Sequence, residues 1–156
     1  MQHSILIVTI AAGLGLGSLW PATHGRASAP PSDARSVVLQ RSSDGHFYAD
    51  VEVNGASVHF LVDTGSSTIA LSEADAKKAG ISIAPEEFAL IGEGASGMVR
   101  GKETTLDRVK LGEIDQHGVK AAVIEGATTS LLGADYLDTM DEIIIRKGDM
   151  TLRKAG

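Results

Sequence analysis

Asp63 follows three large apolar residues, Phe60-Leu61-Val62, and leads into Thr64-Gly65-Ser66-Ser67. A carboxylate at the end of an apolar run is costly to bury unless it is used or paired. A positioned carboxylate can take a proton from water or, when protonated, polarise a carbonyl. The competing reading is a plain turn, because Asp, Thr, Gly and Ser are all common turn formers. The setting argues for more than a turn: the tripeptide follows an apolar strand and precedes a capped helix, and Leu131-Leu132-Gly133 comes later in the chain. Other chemistries find little support. His24, His46, His59 and His117 lack metal-ligand spacing, and there is no cysteine, so neither a metal nor a cofactor is expected. Ser66 or Ser67 as a nucleophile would need a base, and no G-x-S-x-G elbow is present. Gly92, Gly94 and Gly97 fit G-x-G-x-x-G, but no helix pattern opens after Gly97 and no first strand of a βαβ unit precedes it. Asp135, Asp138, Asp141 and Glu142 read as a solvated helix face and its end.

The elements that must hold Asp63 are mostly strands. Val37–Leu39 is a short first strand. Phe47–Val53 alternates, with Phe47, Ala49, Val51 and Val53 on one face and Tyr48, Asp50 and Glu52 on the other. Asn54-Gly55 then signals a hairpin, since both central residues of a type I′ turn need positive φ. Ser57–Val62 returns and ends in an apolar run that reads as fully buried. A helix is expected over Ser72–Ala79, with Ser72 as its cap, Asp75 completing a capping-box pattern, and Gly80 ending it. Strands are expected at Thr104–Leu111 and Val119–Ile124, joined through Gly112–Gly118. A second short helix fits Ala134–Met140, and a final hairpin joins Glu142–Arg146 to Met150–Arg153. Hairpin, apolar strand, Gly-containing loop and short helix thus occur at Phe47–Ala79 and again at Thr104–Met140. In this reading Leu131-Leu132-Gly133 stands where the first copy has Asp63-Thr64-Gly65, so one fold unit offers at most one catalytic acid.

These pieces resemble the retropepsin-like aspartic proteases, and within them a bacterial, single-domain, exported branch. The resemblance rests on Gly45-His46-Phe47-Tyr48 opening a strand, Phe60–Ser66 around the acid, Thr68–Ser72 leading into the helix, and Ser130–Leu137 with its Leu-Leu-Gly. It spans roughly Gly45 to Arg153. It implies an all-β fold, a retropepsin-like closed β-barrel (the acid protease fold) with one or two short helices. It also implies a two-fold homodimer in which each chain gives one Asp63-Thr64-Gly65 loop to a shared site acting on polypeptides. Two such carboxylates about 3 Å apart cannot both ionise easily, so they share a proton and divide the acid and base roles. In the resemblance Thr64 ties the two loops together, Gly65 admits substrate backbone, and Ser66 hydrogen-bonds the carboxylate from outside. A flap over the substrate is placed at Gly92–Gly101, with Gly94, Ala95, Ser96 and Gly97 as substrate-binding residues. Two features depart from the viral pattern: Ser67 and Ala134 occupy the positions of an acid and an arginine that pair near the viral dimer contact. A non-catalytic peptide-binding or dimerisation module on the same fold is the alternative function.

The chain has 156 residues, 43% of them apolar but only 4% aromatic, which predicts an aliphatic core. Its net charge of −6 and scattered Lys and Arg residues argue against a nucleic-acid partner, whose phosphates require a clustered basic face. Ser4–Trp20 is uncharged, with Ile5–Ile10 strongly apolar, and a Pro, Ala and Ser-rich stretch follows. Residues 1–27 read as a secretory signal or an N-terminal membrane anchor, 28–36 as a linker and 37–156 as the protease domain. The small residues Gly25 and Ala27 permit cleavage, and the apolar run is short against the roughly 20 residues of a spanning helix. Export, to a periplasm, is therefore expected, with anchoring to the inner membrane by residues 4–20 kept open.

Overall fold

The computed structural model describes residues 35–94 and 97–156. The signal or anchor segment, most of the linker, and Ala95 and Ser96 lie outside the described residues. The strands are β1 (Arg35–Gln40), β2 (Tyr48–Val53), β3 (Ala56–Val62), β4 (Ile69–Ser72), β5 (Ala89–Gly94), β6 (Gly97–Leu111), β7 (Ile114–Ile124), β8 (Ser130–Leu132), β9 (Glu142–Arg146) and β10 (Asp149–Lys154). Two short helices, α1 (Glu73–Lys78) and α2 (Ala134–Leu137), follow β4 and β8. The main sheet runs β2-β3-β8-β4-β7-β6-β5, and β2 also pairs with β6 through Glu52↔Lys110 and Val53↔Val109. That last pairing closes six strands into a barrel, so the mostly β, closed-barrel expectation holds. A separate sheet, β1-β10-β9, is built from the two ends of the domain.

Local chemistry accounts for the pieces. Asn54 and Gly55 have φ of 49° and 88°, and Lys147-Gly148 repeats the pattern at the β9–β10 turn, as two-residue hairpins require. Along β2 the alternation is realised: Ala49, Val51 and Val53 are buried while Asp50 is exposed. With Val58, Phe60, Leu71, Leu106, Val109, Ile114 and Leu132, these buried residues belong to one mostly aliphatic core. Ser72 caps α1, its hydroxyl accepting the Asp75 N–H at 3.1 Å.

Some expectations need adjustment. Leu61 and Val62 are only half-buried, because the strand runs out to the mouth of a cleft; Phe60 alone of the run is fully buried. No long Gly112–Gly118 connection exists, since β7 already begins at Ile114. Its polar stretch is held by main-chain pairing to β6 and by the Arg108–Asp115 pair at 2.7 Å. α2 stops at Leu137 instead of reaching Met140. Thr139 and Met140 tighten the last turn with bonds to Tyr136 and Leu137 carbonyls, and the Thr139 hydroxyl adds a second bond to Tyr136.

Candidate active site

The Asp63 loop owes its shape to a crossover. β3 pairs in parallel with β8 (Phe60↔Ser130, Leu61↔Leu131, Val62↔Leu132), whereas β4 lies on the far side of β8 and pairs in parallel with β7. Residues 63–68 must therefore pass over the end of β8. The Asp63 N–H donates to the Leu132 carbonyl at 3.1 Å where this passage begins. Beneath it, the first N–H groups of α2, which lack helical partners, are taken up by the loop: Ala134 donates to the Ser66 carbonyl (2.7 Å) and Asp135 to that of Ser67 (2.8 Å). Gly133 makes this contact possible. A Cβ there would lie 2.7 Å from the Ser66 carbonyl oxygen and closer still to that of Thr68.

The same crossover is made twice. β7 leads to β8 as β3 leads to β4, the two second strands cross antiparallel at Ala70↔Leu131, and each runs into a helix. Val62 lies opposite Leu132, the residue before the α2 cap Gly133; Val123 lies opposite Leu71, the residue before the α1 cap Ser72. The residue after each is thus equivalent, and the counterpart of Asp63 is Ile124. The sequence-based alignment of Asp63-Thr64-Gly65 with Leu131-Leu132-Gly133 is corrected accordingly: Leu131-Leu132-Gly133 matches Ala70-Leu71-Ser72. At this position of the repeat the chain carries one acid, Asp63, opposite an isoleucine in the second copy.

Asp63 is half-buried. Its Oδ1 accepts the Gly65 N–H at 2.8 Å, an Asx-type turn, and a Cβ on Gly65 would crowd that oxygen at 3.1 Å. The tripeptide is thus a turn, and it holds the Asp63 carboxylate at the end of an apolar strand. Oδ2 takes no hydrogen bond among the described residues, and Asp63 lines a cleft of about 940 Å³. Gly65 and Ser66 share that wall, while Thr64 is exposed. Ser66 does not bond the carboxylate; its hydroxyl donates to the Thr68 carbonyl at 3.0 Å, within its own turn. Opposite stands the β5–β6 hairpin, with Ile91, Gly92, Glu93, Gly94 and Val99 on the cleft. The hairpin runs from Ala89↔Gly101 to Gly94↔Gly97, longer than the Gly92–Gly101 expectation, with a bulge between Leu90 and Gly92. Of the flap residues singled out by sequence, Gly94 lines the cleft and Gly97 sits at the turn with φ of 114°.

Comparison with known proteins agrees with this geometry. Residues 49–139, which include Asp63 and Gly133, match the family model described as "gag-polyprotein putative aspartyl protease". The chain belongs to this aspartyl protease family. The crystal structure of a retropepsin-like aspartic protease from Rickettsia conorii superposes with a TM-score of 0.65 and 30% identity, covering 78% of this chain and 91% of that one. An uncharacterised protein from the region 5′ of cobV in a Sinorhizobium species is 33% identical over 76% of this chain and 52% of its own. An uncharacterised protein of Rickettsia prowazekii (strain Madrid E) is 32% identical over 69% and 46%. The chain spans about half the length of these two curated relatives.

Within this retropepsin-like frame the structure adds residues that sequence reasoning did not assign to the site. Glu93, Glu103, Asp135 and Lys120 line the cleft. No ion pair holds any of the four among the described residues. Asp135, read from sequence as part of a solvated helix face, is exposed and lines the cleft, and its N–H is bound to the Ser67 carbonyl. Its position two residues after Gly133 was the available signal. Ser67 and Ala134, where the viral pattern has an ion pair, sit side by side through the main-chain bonds of Ser66–Ala134 and Ser67–Asp135.

Proposed function

We infer that this chain is one half of an aspartic endopeptidase, completed when two copies bring their Asp63 carboxylates to a shared two-fold axis. The observation that carries the reading is the equivalence of Asp63 and Ile124 in the internal repeat. The chain builds two equivalent crossovers but equips only one with an acid. Hydrolysis of a peptide bond without a covalent intermediate needs a base for water and an acid for the carbonyl oxygen. One carboxylate supplies half of that; two close carboxylates sharing a proton supply both, as aspartic protease dyads in general illustrate. The free Oδ2 of Asp63, the cleft large enough for a peptide, and the hairpin above it support the same reading. Thr64 is exposed beside the acid, and in this reading it would meet the partner's loop. The N-terminal segment would carry the domain across the inner membrane to the periplasm, anchored or released.

The test is Asp63→Asn. Asparagine keeps the oxygen that accepts the Gly65 N–H, so the turn survives while the shared proton is lost. Purified Ser28–Gly156 should cleave an unfolded protein between pH 4 and pH 7, and the variant should not while keeping the wild-type circular dichroism. Wild-type turnover by the variant would overturn the assignment. Peptide binding by a wild-type protein that never cuts would favour the non-catalytic module.

A further inference from the structure

The side chains of Ser72 and Ser130 are buried, and both bind one carboxylate, Asp75. Asp75 Oδ2 accepts the Ser130 hydroxyl at 2.7 Å and the Ser72 hydroxyl at 3.0 Å, while Oδ1 accepts Lys78 Nζ at 2.8 Å. The remaining capacity is used as well. Ser130 Oγ accepts the Ser72 N–H at 3.0 Å, and Ser72 Oγ accepts the Asp75 N–H at 3.1 Å. Each hydroxyl therefore gives its single proton to the carboxylate and receives a main-chain N–H. The two hydroxyls share one carboxylate oxygen, and the other oxygen takes the lysine, so the group accepts three charge-assisted bonds.

The position of the network matters more than its burial. Ser72 ends β4 in the first half of the repeat, and Ser130 begins β8 in the second. Helix capping explains the Ser72 contact but not the Ser130 one, which joins residues 55 positions apart. From Ser130, two residues lead to Leu132, whose carbonyl holds the Asp63 N–H, and the next is Gly133, on which the Asp63 loop rests. We propose that Asp75 is a positioning residue for the catalytic loop: through Ser130 it fixes β8 against β4, and β8 in turn sets the seat of Asp63. This role rests on the protease reading for its consequence in catalysis, but not for its structural part.

The experiment separates the two. Asp75→Ala, Ser130→Ala and the double variant are compared with wild type and with Lys78→Ala, which removes only the outer ion pair. The first readout is amide hydrogen exchange. Exchange at Asp63, Ala134 and Asp135 should quicken by about tenfold or more in either single variant, the scale of one lost hydrogen bond to a charged group. It should quicken no further in the double, and amides of β1 and β10 should keep their wild-type rates. The second readout is peptide hydrolysis per folded dimer, where kcat should fall by about tenfold with KM within about twofold, and Lys78→Ala should match wild type. Should Asp75→Ala fail to fold, Ser130→Ala alone decides. Unchanged exchange at Asp63, or an equal rise throughout the domain, overturns the proposal. An unchanged kcat beside faster local exchange overturns its catalytic part. A wild-type chain that cleaves nothing overturns the protease reading, and the exchange pattern still rules on the positioning.

Discussion

Replacing Gly133 by alanine tests the crossover that presents Asp63. The added Cβ would meet the Ser66 carbonyl oxygen at 2.7 Å and the Thr68 carbonyl at shorter range, and both are backbone atoms that cannot rotate away. Forcing such a shift in a packed site costs about 1–3 kcal/mol. The loop can move only by stretching the Ala134–Ser66 and Asp135–Ser67 bonds, now 2.7 and 2.8 Å. Their weakening adds about 1 kcal/mol each, so the expected loss is about 3–5 kcal/mol. Against a domain stability of about 5–15 kcal/mol this leaves a folded but weakened chain with Asp63 displaced. Urea unfolding at neutral pH should show a lower midpoint with an unchanged slope, and peptide cleavage should fall more steeply than the folded fraction. Gly92→Ala is the control, since its Cβ would meet nothing within 4 Å; its stability should stay within about 0.5 kcal/mol of wild type. Wild-type stability and turnover in Gly133→Ala would refute the close seating of the loop on β8.

Further outcomes follow from the same structure. Specific activity should fall on dilution in step with the dimer fraction, and excess Asp63→Asn chains should suppress it further; a flat activity across a dilution that sedimentation shows to cross from dimer to monomer would refute the shared site. The proposed dimer is expected to be weak, because Ser67 and Ala134 cannot form an ion pair, so ordinary concentrations should span that crossing. Tyr136 is buried, its hydroxyl has no hydrogen-bond partner among the described residues, and the neighbouring Gln116 gives its amide to Thr139 at 2.9 Å. Burial raises its phenol to about 12, against a smaller downward pull from the Gln116 amide and with a slight push from Asp115. Tyr136→Phe should therefore keep or raise stability, by up to about 1 kcal/mol, and a clearly lower melting temperature would show that the hydroxyl is satisfied. Desolvation pushes the Asp75 carboxyl upward, but hydrogen bonds from Lys78, Ser130 and Ser72 outweigh it and hold the group below its usual value. A lowered folded value means the stabilisation is whole above the unfolded value of about 3.9 and is lost as pH falls through the lower one. The gap in urea midpoint between wild type and Asp75→Asn should accordingly be wide at pH 7 and narrow below pH 3, and a gap independent of pH would contradict the charged network.

Much of this protein was legible in the order of its residues, because the relevant forces are local. Alternation placed β2, Asn54-Gly55 placed its turn, Ser72 and Asp75 placed α1, and the Asp63 tripeptide after an apolar strand placed the acid. The repeat of hairpin, strand and helix was also visible. What escaped was whatever depends on partners distant in the chain. β4 and β8 have four and three residues, too few to show a period, and they exist because each lies between strands from the other half. The barrel closes through Glu52↔Lys110 and Val53↔Val109, which no pattern in either segment announces. The flap was drawn too short because its first strand is exposed along its whole length and carries no buried alternation. The match of Asp63 with Ile124 went unseen because sequence compares residue types, and an acid and an isoleucine share none; only the equal distance of each from a crossing strand and a helix cap makes them counterparts. Residue type determined which group could do the chemistry, whereas the crossing of the chain over Gly133 decided where that group points.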